Sequence, residues 1–177
     1  DVDRERADSM AAEFGGKATY DLDDLLKVEG VDVVNITTPN HLHHDAVIAC
    51  AGAGKHVLTE KPPAMSLNET DAMIAACDGA GVKLGCFVQC RIRKAIHAMQ
   101  AAIGAGRFGR LLHADTYMKW YRSTEYYQTA AWRMSRRSGA GVTVQQAFHY
   151  IDLLQLLAGP VRRVEARMEN IAHPDVK

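Results

Sequence analysis

The triplet Glu60-Lys61-Pro62 follows a β-branched run, Lys55–Thr59, and contains the lysine best placed to act as an acid or a base. The run is typical of a buried strand, so the triplet is predicted at the carboxyl end of a strand, where open α/β sheets bind their ligands. Pro62 and Pro63 restrict the chain behind the lysine and fix its position. A solvated lysine that opens a loop is the alternative, and the triplet alone favours that alternative.

A second group of polar residues lies on an apolar segment that is predicted to form a helix over residues 142–157. The group consists of Gln145, His149 and Asp152, at positions i, i+4 and i+7. This spacing places all three side chains on one face of a helix. Polar groups on an apolar helix need partners or line a cavity, because burying one unpaired costs ~1–3 kcal/mol. The spacing supports a ligand site and a structural hydrogen-bond network equally.

A loop of aromatic and basic residues, 120–141, precedes that helix. Such a mixture stacks on single-stranded nucleic acid in some proteins, and in others the loop is packed by its own aromatic side chains. The chain has 21 Lys and Arg against 21 Asp and Glu, a formal net charge of zero. No nucleic-acid partner is therefore expected.

The composition is that of a soluble globular protein, with 47% hydrophobic and 24% charged residues. No apolar run approaches the ~18–20 residues of a membrane span, and the first residues do not resemble a signal peptide, so no membrane partner is expected. The four cysteines are interpreted as buried, reduced thiols of a cytoplasmic protein. Cys86 and Cys90 match no zinc signature, and the histidines at 41, 43 and 44 fit the first turn of a helix, so no metal site is expected.

Helices and strands alternate over the first 105 residues, which predicts βαβ units and a parallel sheet. Predicted strands cover residues 18–20, 31–37, 55–59 and 82–88, and predicted helices cover 4–14, 21–27, 66–78 and 92–103, with one more after Asn40. The alternation ends near Gly109, where a strand at 111–119, the loop, the helix 142–157 and a strand at 161–171 follow. We therefore predict two domains, 1–106 and 107–177.

Local signals predict how three of these helices begin or end. Gly15 is expected to end the first helix in a left-handed conformation. Asn40 is expected to cap the helix that follows it, and Ser66 with Glu69 has the spacing of a capping box.

The order and spacing of these motifs resemble those of the glucose–fructose oxidoreductase / inositol dehydrogenase (Gfo/Idh/MocA) family. The resemblance rests on Thr37-Thr-Pro-Asn-His-Leu-His43, the alanine-rich helix after it, and the strand that ends in Glu60-Lys61-Pro62. It implies a truncated Rossmann domain with a doubly wound parallel sheet. The start of an α/β domain with an open, mostly antiparallel sheet would follow.

The family resemblance implies a nicotinamide-dependent oxidoreductase that interconverts a secondary alcohol and a ketone on a sugar, polyol or nucleotide-sugar. The catalytic residues implied are Lys61, His149 and Asp152, with Asp152 supporting the His149–Lys61 pair. The cofactor-binding residues implied are Asp1, Thr38, Pro39, Asn40, His43, Glu60 and Lys61. The substrate-binding residues implied are Arg91, Arg122, Tyr126, Arg133, Gln145 and His149.

Cofactor choice depends on Asp1, which resembles the acidic residue that binds the adenosine ribose in Rossmann folds and repels a 2′-phosphate. We therefore expect NAD rather than NADP, although an ordinary terminal charge is the alternative. Gln145 stands where members of the family usually have Asp or Asn, and this departure leaves a non-catalytic, sugar-sensing relative open. An NAD-assisted glycosidase of the same fold is the other alternative.

No G-x-G-x-x-G motif follows a predicted strand in the 177 residues. The chain is therefore expected to be a fragment of a longer enzyme and inactive by itself, because the glycine-rich turn holds the cofactor pyrophosphate. The full-length enzyme is expected to be a cytoplasmic homo-oligomer.

Overall fold

The structure is a computed structural model that describes residues 1–139 and 141–173. The chain divides into two compact units, and each is built from several chain segments. The first unit contains Asp1–Thr38, Leu42–Thr59 and Ser66–Gly85, and the second contains Pro39–His41, Glu60–Met65 and the chain from Cys86 onward.

The first unit is built on a sheet of three strands in the order β1-β2-β3. These strands are β1 (Val33–Ile36), β2 (His56–Glu60) and β3 (Leu84–Phe87). β1 pairs with β2 in parallel, with Ile36 opposite Thr59. The predicted strands at 31–37, 55–59 and 82–88 are confirmed, and Lys61 directly follows β2.

Four helices accompany this sheet: α1 (Arg4–Phe14), α2 (Leu22–Leu26), α3 (His43–Gly52) and α4 (Leu67–Gly79). Gly15 ends α1 at φ 73°, and the Ser66 hydroxyl accepts a hydrogen bond from the Glu69 N–H at the start of α4. The predicted end of the first helix and the predicted Ser66 cap are confirmed.

The core of the first unit lies where α3 packs on α4 and on β1. It consists of apolar side chains from helices and strands, namely Val34, Ile36, Val47, Cys50, Val57, Met73 and Cys77. Because alternate residues of β1 are buried, the sheet presents one face to this core.

The second unit is helical: α5 (Lys94–Gly104), α6 (Thr124–Gln128), α7 (Arg136–Gly139), α8 (Gly141–Gln145) and α9 (Phe148–Ala158), with 3₁₀ turns at Gln89–Ile92 and Ala131–Met134. α9 contacts α5 and the Gln89–Ile92 turn. In the described ranges, no helix is long and apolar enough to cross a membrane.

The single helix predicted over 142–157 is wrong, because the chain turns at Gln146 and Ala147 between α8 and α9. The Ala147 N–H donates to the Val142 carbonyl, five residues back, at 2.9 Å. This wider turn changes the direction in which later side chains point. The apolar composition of the segment indicated a helix but did not indicate the interruption.

Three predicted strands, 18–20, 111–119 and 161–171, do not form within the described residues. A strand needs a neighbour to bond its backbone groups and a buried face. Residues 111–117 and 161–172 are exposed, and none of β1–β3 pairs with them. The antiparallel sheet expected after residue 107 is therefore not seen in this part of the chain. The predicted loop 120–141, in contrast, contains α6, α7 and a 3₁₀ turn.

The core of the first unit is tested by truncating Met73, which is fully buried on α4. Met73→Ala should lower the free energy of unfolding by about 2–5 kcal/mol, because it removes buried methylenes and leaves a cavity. Met10→Ala on α1 is the matched control, since Met10 is 51% exposed. Urea unfolding measures both, and equal losses would contradict the packing of α4.

Candidate active site

Lys61 is half-buried just beyond β2, and its ammonium donates to the backbone carbonyl of Gln145 at 2.7 Å. Burial lowers the pKa of Lys61 from its ordinary value of 10.5, and the charge of Arg133 lowers it further, while the charge of Glu60 opposes the shift. The next residue, Pro62, is fully buried, and the Lys61–Pro62 peptide is cis. Lys61 is thus a held cation rather than a solvated loop residue.

The carbonyl that holds Lys61 is available because α8 ends at Gln145. The last carbonyls of a helix have no partner in their own helix and need one elsewhere. The Gln145 side chain is also fixed, since its Oε1 accepts from the Asn40 amide at 2.7 Å, and Asn40 is buried. One residue therefore bonds Lys61 through its backbone and Asn40 through its side chain.

This contact corrects the predicted role of Asn40 as a helix cap. Asn40 begins a 3₁₀ turn, Asn40–Leu42, and the cap position before α3 is occupied by Leu42, whose side chain makes no capping bond. The side-chain amide of Asn40 donates to Gln145 instead. The turn between β1 and α3 shifts the helix start by two residues, from a cap at Asn40 to one at Leu42.

His149 is buried on α9, at 7% exposure. Burial lowers the pKa of His149, and the positive charges of Lys61 and Arg93 lower it further, while Asp152 and Glu60 oppose the shift. The ring nitrogen Nδ1 is buried and has no hydrogen-bond partner among the described residues. His149 is therefore a neutral imidazole that lies within electrostatic reach of Lys61.

Asp152 pairs with Arg91 rather than with the His149 ring. Arg91 donates to both carboxylate oxygens, and its Nε lies 2.8 Å from Oδ2. Such forked pairs fix the geometry of both side chains. Asp152 was expected to orient or electrostatically support the His149–Lys61 pair. Its carboxylate is hydrogen-bonded to Arg91, and its charge acts on His149 by opposing the lowering of the pKa of His149. The helix break also separates Gln145 from the face that carries His149 and Asp152.

Cys50, Cys77 and Cys90 are buried as predicted, but Cys86 is exposed on β3. Its sulfur is nevertheless partly shielded from water, and desolvation raises the pKa of Cys86 to about 11, with the charges of Glu60 and Asp152 adding to the shift. The pKa of the Cys86 thiol therefore depends in part on the negative charge at this end of β2.

A second group of side chains, which we call the Tyr126 cluster, consists of Arg122, Tyr126, Arg133 and Gln146. The Tyr126 hydroxyl oxygen accepts from Arg133 at 2.9 Å and from the Gln146 amide at 3.1 Å. The guanidinium groups of Arg122 and Arg133 lie 5.2 and 4.8 Å from the centre of the Tyr126 ring. Three predicted substrate-binding residues are thereby brought together.

Sequence reasoning missed Gln146, Arg93 and Gly139. Gln146 is 7% exposed and links the Tyr126 cluster to the chain next to Gln145. A pair of adjacent glutamines in an apolar segment was the available signal. Arg93 acts on His149 only through its charge, and no local pattern indicates that.

Gly139 lets α7 approach the 3₁₀ turn that carries Arg133. A Cβ at Gly139 would lie 2.7 Å from the Trp132 carbonyl oxygen, closer than real side chains come. The Ser138 hydroxyl donates to the same carbonyl at 3.0 Å. Close packing of α7 therefore holds Arg133 in place.

The remaining predicted cofactor-binding residues lie in the first unit or in the turn after β1, except Glu60, which ends β2. His43 is fully buried, and its Nε2 donates to the Thr38 carbonyl at 2.9 Å, which braces the turn. The carboxylate of Asp1 accepts from the Asp3 N–H at 3.0 Å and lies 3.6 Å from Arg6. The cofactor roles of these residues stay predictions.

The residues present fit a dinucleotide cofactor. β1 and β2 are adjacent and parallel, and the segments after both strands carry polar groups, which is where Rossmann sheets bind dinucleotides. A buried Gln89 oxygen and the His149 Nδ1 have no partner among the described residues, so acceptors and donors remain for ligands.

Comparison with protein families decides the affiliation. The model of the oxidoreductase family with an NAD-binding Rossmann fold matches residues 1–88, and the model of the GFO/IDH/MocA C-terminal domain matches residues 96–177. The chain belongs to the Gfo/Idh/MocA family. This confirms the family resemblance and the α/β fold with a parallel Rossmann sheet.

Similar proteins include a 1,5-anhydro-D-fructose reductase of Ensifer adhaerens, 36% identical over 86% of this chain and 46% of the relative. A levoglucosan dehydrogenase of Pseudarthrobacter phenanthrenivorans is 32% identical over 92% of this chain and 42% of the relative. The WlbA dehydrogenase of Bordetella pertussis, solved with NADH and UDP-GlcNAcA, has a TM-score of 0.82 at 36% identity, covering 90% of this chain and 46% of that chain. The chain thus spans about half the length of the curated relatives it matches.

The electrostatics of the site are tested through Cys86. Its rate of alkylation by iodoacetamide should still rise about tenfold per pH unit between pH 9 and 10, because the thiolate is the reactive form and the pKa lies near 11. Glu60→Gln should speed alkylation at pH 8 by removing a nearby negative charge. Peptide mass spectrometry quantifies the Cys86 adduct, and Cys86→Ser gives the background. A rate that levels off near pH 9 would contradict the described surroundings.

Proposed function

We propose that the full-length protein is an NAD-dependent oxidoreductase that interconverts a secondary alcohol and a ketone on a sugar, polyol or nucleotide-sugar. The observation that carries this proposal is the half-buried Lys61, whose pKa is lowered by burial and which lies at the end of β2 within electrostatic reach of His149. The Rossmann-domain match over residues 1–88 supports the cofactor.

NAD, when bound, supplies the hydride acceptor for alcohol oxidation. Lys61 takes the hydroxyl proton, and only its neutral form can do so. The lowered pKa therefore makes more of the base available near neutral pH. The Gln145 carbonyl at 2.7 Å then receives the ammonium that forms.

His149 holds the same substrate hydroxyl. Its imidazole is neutral because burial and neighbouring cations lower the pKa of His149, and its Nδ1 has no partner in the described chain. A neutral ring can donate from one nitrogen and accept at the other. Asp152, fixed by Arg91, partly offsets these cations and adjusts the basicity of His149 from a distance.

The cofactor is held by the residues that the family resemblance implies: Asp1, Thr38, Pro39, Asn40, His43, Glu60 and Lys61. NAD is preferred to NADP because Asp1 repels a 2′-phosphate. Arg6, 3.6 Å from Asp1, weakens this repulsion, so the preference is expected to be moderate.

Relatives named for activities on sugars and polyols support the substrate class. They include the levoglucosan dehydrogenase and a scyllo-inositol 2-dehydrogenase of Bacillus subtilis, 26% identical to this chain. A domain boundary at 106/107, a cytoplasmic location and a homo-oligomeric state remain parts of the proposal. No observation favours a sugar sensor or an NAD-assisted glycosidase over the dehydrogenase.

The proposed function is tested by Lys61→Ala in the full-length enzyme. We expect kcat for alcohol oxidation to fall at least ~10²-fold, the usual scale for an acid–base group, while the Kd for NAD changes little. Lys27→Ala is the matched control, since the Lys27 side chain is 74% exposed. Steady-state kinetics with a panel of sugars and polyols, together with NAD titration, gives both quantities.

The pH profile adds a second criterion. In the unaltered enzyme kcat/KM for oxidation should rise with pH as Lys61 loses its proton, and the midpoint of the rise should lie below pH 10.5 because the pKa of Lys61 is lowered. This rise should be absent from Lys61→Ala. If Lys61→Ala and Lys27→Ala lose equally little activity, Lys61 is not the base.

A further inference from the structure

The Tyr126 cluster contains two arginines without an acidic partner. Arg122 and Arg133 stack on aromatic rings, with the Arg133 guanidinium 4.4 Å from the Trp132 ring centre and the Arg122 guanidinium 5.4 Å from that of Trp120. Within the described ranges, no carboxylate lies within 4.0 Å of either. The other arginine near the site, Arg91, is fully paired with Asp152. The cluster therefore has an uncompensated positive charge.

Two hydrogens in the Tyr126 cluster lack an acceptor. The Arg133 Nε is buried and has no hydrogen-bond partner among the described residues. The Tyr126 oxygen already accepts from Arg133 and Gln146, which occupies its acceptor capacity. Its own hydroxyl hydrogen has no acceptor among the described residues and is free to be donated to a ligand or to water. Both groups call for an acceptor supplied from outside the described chain.

The Tyr126 cluster is tied to Lys61. Gln146 bonds Tyr126, and the preceding residue, Gln145, accepts from the Lys61 ammonium. The charge of Arg133 also lowers the pKa of Lys61, so the two cations lie within electrostatic reach. A ligand of the Tyr126 cluster would therefore lie close to the group that takes the substrate proton.

We propose that the Tyr126 cluster binds an anionic group of the substrate, a carboxylate or a phosphate, through Arg133, Arg122 and the Tyr126 hydroxyl. The substrate is then an acidic or phosphate-bearing sugar rather than a neutral one. This inference rests on the proposed function, because it places the anion beside the proposed base.

The chemistry of the donors favours an anion over a neutral acceptor. A guanidinium held flat by stacking presents its N–H groups at its edge, where carboxylate and phosphate oxygens match them. Lys61 and Arg93 add positive charge around the site, as their effects on the pKa of His149 indicate, and a neutral hydroxyl would leave this charge uncompensated.

The experiment compares the binding of three probes to the full-length enzyme saturated with NADH: D-glucose, D-glucuronate and UDP-glucose. Calorimetry or NADH fluorescence gives the Kd of each. At least one anionic probe should bind about tenfold or more tightly than D-glucose, because hydrogen bonds to charged groups are the stronger ones. Preference for D-glucuronate identifies a carboxylate, and preference for UDP-glucose alone identifies a phosphate.

Three variants test whether the preference for an anionic probe over D-glucose comes from the Tyr126 cluster. Arg133→Met should abolish it, and Tyr126→Phe, which keeps the ring but removes the hydroxyl, should reduce it about threefold or more. Arg133→Lys should restore part of the affinity lost in Arg133→Met, since it returns the charge but not the fork. Arg107→Met is the control, because Arg107 is an exposed arginine outside the Tyr126 cluster.

Anion binding by the unaltered enzyme should also weaken as NaCl rises, whereas D-glucose binding should not. The salt dependence of anion binding and the Tyr126→Phe variant still test the proposal if Arg133→Met does not fold. The proposal is wrong if neither anion binds more tightly than D-glucose, or if the Tyr126 cluster variants weaken all three probes equally. Binding is measured without turnover, so a selective anion site in an enzyme that oxidises no sugar would contradict the proposed function alone.

Discussion

The hydrogen bond from the Lys61 ammonium to the Gln145 carbonyl is the contact on which the rest of the site depends. It joins the segment after β2 to the end of α8, and it holds a cation that is half-buried. Burial disfavours the charged form, while the carbonyl stabilises it through a single contact. The pKa of Lys61 is lowered, so burial outweighs the opposing charge of Glu60. A lysine balanced in this way can exchange a proton at moderate pH.

The turn at Gln146 and Ala147 creates this contact. In an uninterrupted helix the Gln145 carbonyl would accept from the N–H four residues on, and Lys61 would have to share it. With the helix broken, adjacent residues serve two partners: Gln145 bonds Lys61 and Asn40, and Gln146 bonds Tyr126. The acid–base group and the arginine-rich group are thereby positioned by one irregular stretch of backbone.

The sequence predicted the parallel sheet and the end of α1 well, because β-branched runs and Gly15 act locally. The place after a strand singled out Lys61 and the helical spacing singled out His149, but the proposed roles of both residues came from the family resemblance. The helix break at 146 was not predictable, since the apolar pattern continues through it and the bonds that the broken helix makes are to residues distant in the sequence. The pairing of Asp152 with Arg91 was missed for the same reason: the two residues are 61 positions apart. Predicted strands failed where no neighbouring strand pairs with them.

The central claim is that Lys61 is a held cation with a lowered pKa, and NMR tests it most directly. The ¹³Cε signal of Lys61 in the full-length enzyme, assigned by its loss in Lys61→Arg, can be followed as pH is raised. The account predicts a titration midpoint clearly below 10.5, the ordinary value, and a signal distinct from those of exposed lysines such as Lys27. A midpoint at or above 10.5, shared with the exposed lysines, would contradict it.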